Sequence, residues 1–342
     1  MARGRRPTQA DIARAAGVSQ ATVSLVLNER AEPSGITAAT RQRVAQAIRQ
    51  LGYVPNPAAR TLAGGMNKIL GFYTFESVFP LDGDDFYFPF LMGIEQETES
   101  LGYDLLMFNS TGRERQMFAN GSTRLALADG TLLLGREPNL ADICRLRDDG
   151  YRFVYIGRRD VPGGGISYVT ADYTRATREV TERLIELGHR RFARYRLREA
   201  TSEAARDRED GFRSALVEAG LKAPPTTTLE SPEDVLVLFE HAVRSGVTAL
   251  VVDQQSIAEV VRAHAADARS AGEPSVAVLG DTMGTRSDTG PPLEWSGFRI
   301  PRKELGAAAT RALVDKLEAD VDEPVEIKVP CELVDGETVF AR

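Results

Sequence analysis

Apolar positions in most of the chain form short β-rich runs that alternate with longer stretches of helical period. Such runs predict strands, and apolar residues spaced three and four apart predict helices between them. We expect a first parallel sheet from strands at 69–75, 103–108, 131–134 and 153–156, and a second from 168–170, 192–195, 249–252 and 275–279. The predicted helices include 91–101, 175–187, 211–219 and 257–271. This repeated βαβ order predicts an α/β core of two doubly wound parallel-sheet subdomains, with a ligand cleft at the carboxyl ends of the strands.

The N-terminal stretch has a different pattern, that of short helices without strands. Thr8 followed by Asp11 predicts a capped helix start, and Gly17 predicts a left-handed helix end. Ser19 is a suitable cap for a second helix over 20–27. Two short helices joined by a glycine turn are typical of a helix-turn-helix.

A third predicted helix is capped by Thr37 and ends at Gly52. One side of the second helix carries small and polar residues, which are Gln20, Ala21, Ser24, Leu25 and Asn28. A helix that enters the major groove of DNA needs such a side. The pattern therefore predicts an N-terminal all-α helix-turn-helix domain, although any small three-helix bundle would show the same periods.

Charge is distributed unevenly along the chain. Residues 1–65 contain nine arginines and three acids, a net charge of +6. Because the whole chain carries −7, the remainder carries −13. A basic head on an acidic body favours a polyanion as the partner of the head.

One further short helix is predicted between the two parts. Asn56 suits its N-cap, Pro57 its first position, and Gly64 with Gly65 its end. A helix of about two turns is too short to be stable alone in water. We expect it to fold only when it docks on a partner.

A resemblance to a known family makes these patterns more specific. The chain closely resembles the DNA-binding head and hinge of the lactose/purine repressor (LacI/GalR) family of bacterial transcription regulators at DIARAAGVSQATVSLVLN (11–28) and TRQRVAQAIRQLGYVPNPAARTLAGG (40–65). Weaker blocks follow in the family's order, including GIEQETESLGYDLL (93–106), REDGFRSALVEAGL (208–221) and PPLEWSGF (291–298). The resemblance implies a helix-turn-helix domain at 1–55, a hinge helix and linker at 56–67, and an effector-binding and dimerisation core at 68–342. It also implies that the chain crosses between the subdomains near 162, 296 and 330.

The same resemblance implies how the head would bind DNA. The second helix would contact base edges, and paired hinge helices of a homodimer would enter the minor groove of a pseudo-palindromic operator. There Leu62 would insert between base pairs and bend the duplex, unless Leu62 packs on the core instead. The implied DNA contacts are Thr8, Ser19, Gln20, Ala21, Thr22, Ser24, Leu25, Asn28, Asn56, Ala59, Arg60 and Leu62. Leu25 stands where the family often has arginine or another polar residue, so the outer bases of the family's operators do not carry over.

Effector contacts are implied where the chain matches the family's ligand site. These positions are Phe86, Tyr87, Arg158, Asp172, Arg208, Gln255 and Asp281. Arg208, in Arg-x-x-Gly-Phe, matches an arginine that binds effector oxygens, and Asp281 matches an acid that accepts hydroxyl hydrogen bonds. An arginine opposite a carboxylate, beside aromatic rings, suits a sugar or polyol. Each charged residue could instead form a surface or hinge salt bridge.

One departure from the family leaves the effector open. Gln254 and Gln255 stand where the family usually has Asn-Asp, so the effector need not be a common hexose. The main hypothesis is a repressor whose operator affinity is modulated by a small sugar-like or polyol-like molecule. A DNA-binding regulator that responds to a protein co-regulator is the alternative, and a solute-binding protein or an enzyme is more remote.

The sequence lacks the motifs of common enzymes and of membrane proteins. The first predicted strand is followed by no GxGxxG, and the chain has no P-loop and no Gly-x-Ser-x-Gly. Cys144 and Cys331 form neither a metal motif nor a disulfide framework. We therefore expect no catalytic residue, no metal and no cofactor. Without a bilayer-spanning apolar run or a secretory signal, a cytoplasmic, nucleoid-associated homodimer without membrane contact is expected.

Overall fold

The computed structural model describes residues 7–27, 34–53, 66–75, 86–109, 116–119, 122–198, 202–264, 274–280 and 293–342. Internal contacts divide the chain into two units, Met1–Ile69 and Leu70–Arg342. Most of the predicted hinge (56–67) lies outside the described residues. The limits of the three predicted regions therefore stay predictions.

The N-terminal unit contains three helices among its described residues. They are α1 (Gln9–Ala16), α2 (Gln20–Leu27) and α3 (Ala38–Leu51). The predicted caps are confirmed, because the Thr8 N–H donates to Asp11 Oδ2 at 2.9 Å and the Asp11 N–H donates to Thr8 Oγ1 at 3.4 Å. Gly17 ends α1 with a φ of 63°, and Thr37 caps α3. The three helices bury one apolar cluster, made of Ile12, Ala13, Ala16, Val23, Val44 and Ala47.

The second unit, the core, has fourteen strands among its described residues when the first strand is counted from Ile69. In chain order they are β1 (Ile69–Thr74), β2 (Asp104–Asn109), β3 (Phe118–Ala119), β4 (Ser122–Thr123), β5 (Gly130–Leu134), β6 (Phe153–Ile156), β7 (Tyr168–Ala171), β8 (Phe192–Leu197), β9 (Thr226–Leu229), β10 (Ala249–Val252), β11 (Ser275–Leu279), β12 (Ser296–Arg299), β13 (Glu326–Val329) and β14 (Glu332–Val334). The helices are α4 (Phe88–Ser100), α5 (Leu140–Asp148), α6 (Tyr173–Glu186), α7 (Glu203–Glu218), α8 (Val235–Arg244), α9 (Gln255–His264) and α10 (Arg302–Ala319). Short 3₁₀ helices occur at Arg124–Leu127 and Pro232–Asp234.

These strands form two six-stranded sheets and a small hairpin of β3 and β4. The first sheet has the order β13-β7-β6-β5-β1-β2, and the second has the order β14-β12-β11-β10-β8-β9. The register of the described pairs is parallel, for example Leu132 with Val154, except that β12 with β14 and β3 with β4 are antiparallel. The predicted core of two parallel-sheet subdomains is confirmed. We call the first sheet with α4, α5 and α10 the first half, and the second sheet with α6 to α9 the second half.

One predicted strand lies in the other sheet. The segment 168–170 was expected in the second sheet, but Tyr168–Ala171 pairs with β6 and β13 of the first sheet. The chain returns to that sheet without a helix, through a loop in which Gly163, Gly164 and Gly165 all have positive φ. The first passage to the second half therefore follows Ala171 rather than residue 162. The later passages follow Arg299 and Val329.

A close helix crossing sets the position of α7 in the second half. A Cβ on Gly211 would collide with the Thr174 carbonyl oxygen at the start of α6 and would come within 3.0 Å of Thr177 Cβ. Only glycine permits this approach of the two backbones. The crossing matters for the site because α7 also carries Arg208.

Candidate functional site

The exposed side of α2 is the candidate nucleic-acid interface. Ser19, Gln20 and Ala21 are exposed, while Val23 on the opposite side is wholly buried. The Thr22, Ser24 and Leu25 side chains are half-buried. This orientation leaves a stripe of small and polar side chains open to a groove. The other expected contacts Asn28, Asn56, Ala59, Arg60 and Leu62 lie outside the described residues.

Two of the expected contacts also stabilise helix starts. Ser19 Oγ accepts a hydrogen bond from the Thr22 N–H at 3.1 Å and lies 2.9 Å from Thr22 Oγ1. Thr8 Oγ1 donates to Asp11 Oδ2 at 2.7 Å. These bonds fix the first turns of α2 and α1, so the side chains are positioned before any DNA arrives.

Arg208 is the predicted ligand arginine whose guanidinium has no ion-pair partner among the described residues. Its Cζ lies 4.2 Å from the centre of the Tyr173 ring. Its Nε is buried without a hydrogen-bond partner, and no hydrogen bond or ion pair joins its guanidinium to another side chain in the described part of the chain. A Cβ on Gly280, just after β11, would lie 4.0 Å from Arg208 Nη2. Arg208 therefore lies at the carboxyl edge of the second sheet, where a ligand is expected.

Asp172 directly precedes Tyr173, whose ring faces Arg208. The pKa of the Cys331 thiol is raised to about 12, chiefly by burial. The cation Arg208 lowers this pKa and the anion Asp172 raises it. Asp172 also caps α6 by accepting a hydrogen bond from the Arg175 N–H at 3.3 Å. Asp281, the other expected acid, lies outside the described residues.

The predicted aromatic pair lies in the first half. The rings of Phe86 and Tyr87 meet edge to face with centres 4.9 Å apart. Two arginines that the sequence did not indicate contact the same Phe86 ring, with Cζ of Arg136 at 5.0 Å and Cζ of Arg302 at 4.4 Å. A signal for Arg136 existed, because it follows β5 at the carboxyl edge of the sheet.

Two predicted ligand residues form hydrogen bonds with other side chains of the protein. Arg158 donates through Nη2 to Asp207 Oδ1 at 2.7 Å and through Nη1 to Asp160 Oδ1 at 3.1 Å. Gln255 donates through Nε2 to Glu259 Oε1 at 2.8 Å. Arg208 thus faces the residue next to Asp172, whereas Arg158 is held in ion pairs.

A buried charge cluster inside the second half was not predicted from the sequence. Arg194 on β8 is wholly buried and donates to Asp253 Oδ1 at 2.8 Å and to Glu209 Oε2 at 2.7 Å. Asp253 directly precedes Gln254, so a carboxylate does stand at the end of β10. This carboxylate is paired with Arg194. The available signal in the sequence was Arg194 itself, a charged residue inside a predicted strand, because such a residue needs a partner when it is buried.

A metal-binding cluster and a membrane-spanning helix are both absent from the described residues. They contain no group of three or more His, Cys, Asp or Glu side chains that could hold a metal ion. Within the same residues no helix is long and apolar enough to cross a membrane.

Comparison with known families matches both parts of the chain. Residues 8–56 match the model for bacterial regulatory proteins of the lacI family, and residues 181–339 match a periplasmic binding protein-like domain. The HTH-type transcriptional regulator CelR of Thermobifida fusca is 30% identical, over 98% of each chain. The maltose regulon regulatory protein MalI of Escherichia coli (strain K12) is 26% identical, over 98% of this chain and 99% of MalI.

Solved structures share the fold. A CelR–cellobiose complex superposes with a TM-score of 0.61 at 26% identity, covering 97% of this chain and 100% of the other. The lac repressor dimer bound to operator and the anti-inducer ONPF superposes with a TM-score of 0.62 at 21% identity, covering 98% and 100%. The capped helix-turn-helix, the two parallel sheets and the similarity to CelR over nearly all of both chains lead to one assignment: this chain belongs to the lacI family of bacterial transcription regulators.

Proposed function

We propose that the protein is a repressor whose affinity for operator DNA is modulated by a carbohydrate-like ligand, bound in the core through Arg208. The observation that carries this proposal is the Arg208 guanidinium, which faces the Tyr173 ring and has no hydrogen-bond partner among the described residues. A planar fork of donors beside an aromatic ring suits the vicinal hydroxyls of a saccharide. The complex of the related CelR with cellobiose supports the same ligand class.

On the DNA side, a homodimer would place two copies of α2 in successive major grooves of a pseudo-palindromic operator. The net charge of +6 in residues 1–65 supplies the phosphate attraction, and the exposed stripe at Ser19, Gln20 and Ala21 supplies base contacts. The protein would act in the cytoplasm, near the nucleoid, and without catalytic activity.

Thermal unfolding of the full chain in the presence of sugars tests the ligand proposal. The panel contains disaccharides, monosaccharides, polyols and nucleobases, and a ligand at 100 times its Kd adds roughly 2.7 kcal/mol of stability. We expect at least one saccharide to raise the Tm of the wild type but not of Arg208→Ala. Arg213→Ala, an exposed position on the same helix, is the matched control and should respond like the wild type. A saccharide shift that survives in Arg208→Ala contradicts the site.

A protein co-regulator is the second candidate effector, because Gln254 and Gln255, which follow β10 at the expected ligand site, are hydrogen-bonded within the protein itself. Gln254 Oε1 accepts the Leu197 N–H at 2.9 Å, so this side chain satisfies the backbone at the cleft edge. If a partner protein binds the outside of the core instead, no small molecule in the panel should raise the Tm of the wild type or of Arg208→Ala.

A further inference from the structure

Among the described residues, ion pairs connect the two halves of the core between the loop after β6 and the start of α7. The loop after β6 belongs to the first half, and the first turns of α7 belong to the second half. Arg158 Nη2 donates to Asp207 Oδ1 at 2.7 Å, and Arg206 Nη2 donates to Asp160 Oδ2 at 2.6 Å. These two pairs point in opposite directions, each half supplying one cation and one anion.

Glu203 adds a second layer of contacts between the halves. Its Oε1 accepts the backbone N–H of Asp160 at 3.1 Å, and its Oε2 pairs with Arg159 Nη1 at 3.4 Å. Arg159 is itself anchored in the first half, where its Nη2 donates to the Gly135 carbonyl at 2.6 Å. We call Arg158, Arg159, Asp160, Glu203, Arg206 and Asp207 the ion network.

Two pairs of the ion network, Arg158–Asp207 and Arg159–Glu203, are mostly buried, whereas Arg206 and Asp160 are 59% and 49% exposed. The exposed fractions of the side chains are 25% for Arg158, 18% for Asp207, 12% for Arg159 and 16% for Glu203. Water and salt therefore screen these pairs less than exposed ones, and a lost partner leaves a half-buried charge. The pair of Arg178 and Glu218, which joins α6 and α7 within the second half, is more exposed than these two pairs and serves as a comparison.

We propose that the ion network holds the two halves of the core in the arrangement of this structure, which we call closed, and that Arg158 is a positioning residue rather than a ligand contact. Asp207 immediately precedes Arg208 on α7, so a movement that breaks Arg158 from Asp207 also moves Arg208 relative to the first half. The closed arrangement is thereby favoured before ligand binds, and its population sets how much ligand affinity is lost to opening. This role in ligand response rests on the proposed function, but the closure itself does not.

The closure can be measured in ligand-free protein by double electron–electron resonance, which gives the distance between two spin labels. Spin labels are attached at Leu127→Cys in the first half and Val237→Cys in the second, where the native side chains are 60% and 76% exposed. Cys144 is replaced by serine. Cys331, which is partly exposed, is replaced by serine as well, so that only the two introduced thiols are labelled. Dilution with unlabelled protein limits each dimer to one labelled protomer.

Removing the charge of either Arg158 or Asp207 should open the core. In Arg158→Gln and in Asp207→Asn we expect a second, longer distance, with the ratio of open to closed protein raised roughly ten- to hundredfold. The double variant should open no further than the more open single variant, because both changes remove one interaction. Arg178→Gln with Glu218→Gln should leave the distance distribution unchanged. Asp160→Asn, a milder change at a more exposed position, repeats the test if the first variants fold poorly.

The proposal is overturned if both single variants keep the wild-type distances, or if the Arg178 and Glu218 variant shifts them equally. No ligand and no DNA enter this experiment. Its failure would therefore leave the repressor proposal intact, just as a failed sugar screen would leave the closure intact.

Discussion

Arg208 and Arg158 show how the surroundings of an arginine decide its role. Both lie near the carboxyl edges of the sheets, but Arg158 contacts two carboxylates and Arg208 contacts an aromatic ring. A guanidinium already paired with acids offers few donors to a ligand. The difference depends on Asp207, which is distant from Arg158 in the sequence.

At the residue scale, His189 predicts an acid-sensitive fold. It is buried between α6 and β8, with Nε2 3.0 Å from the Phe340 carbonyl near the C-terminus. Burial lowers the pKa of His189 below its ordinary value of 6.5, so the folded protein favours the neutral ring. The unfolded chain then binds a proton first, and stability present above pH 6.5 is lost as the pH falls through that value toward the lower pKa of the folded state.

The measurement is Tm from pH 7.5 to 5 for the wild type, His189→Gln and His264→Gln. The wild type and the half-exposed control His264→Gln should lose more stability on acidification than His189→Gln. Parallel curves for all three proteins would contradict this role of His189.

At the element scale, local and distant determinants differ in how far the sequence predicts them. The caps at Thr8 and Thr37 were predictable because they depend on residues within one turn. The sheet of β7 was not, because a fully buried strand shows no side preference and its partner is chosen by the path of a glycine-rich loop. The short strands β9, β12, β13 and β14 were missed, since their patterns are brief and partly polar.

The same reasoning applies to the candidate site. The family resemblance predicts Arg208, Asp172 and the aromatic pair as ligand contacts, and these assignments stay predictions. Arg136, Arg302 and the buried Arg194 with Asp253 depend on contacts between distant segments. Periodicity and motif spacing do not encode such contacts.

Gly211 gives a prediction for the α6–α7 crossing. Gly211→Ala should destabilise the core by about 1–3 kcal/mol, because the added methyl meets the Thr174 carbonyl and forces the helices apart. Urea unfolding measures this change, and Arg213→Ala on the exposed side should be near neutral. Ligand affinity should fall as well, since α7 carries Arg208. Unchanged stability in Gly211→Ala would show that the crossing is loose.

At the scale of the whole molecule, the protein combines a basic head with an acidic core of two joined halves. Ligand and operator bind different units, so each can affect the other only through states that both distinguish. The hinge connects these units in the sequence, and most of it, Leu62 included, lies outside the described residues. The expectation that Leu62 inserts into the operator therefore stays a prediction.

The central claim, that a ligand at Arg208 changes operator affinity, is tested most directly by one titration. An operator is first selected from random duplexes with the full chain, and its Kd is then measured with and without the saccharide that raises the Tm. We predict a 5- to 150-fold change for the wild type, about 1–3 kcal/mol of coupling, and none for Arg208→Ala, whose affinity without ligand should match the wild type. Equal operator affinity of the wild type with and without that saccharide, or an unchanged response in Arg208→Ala, would contradict the account.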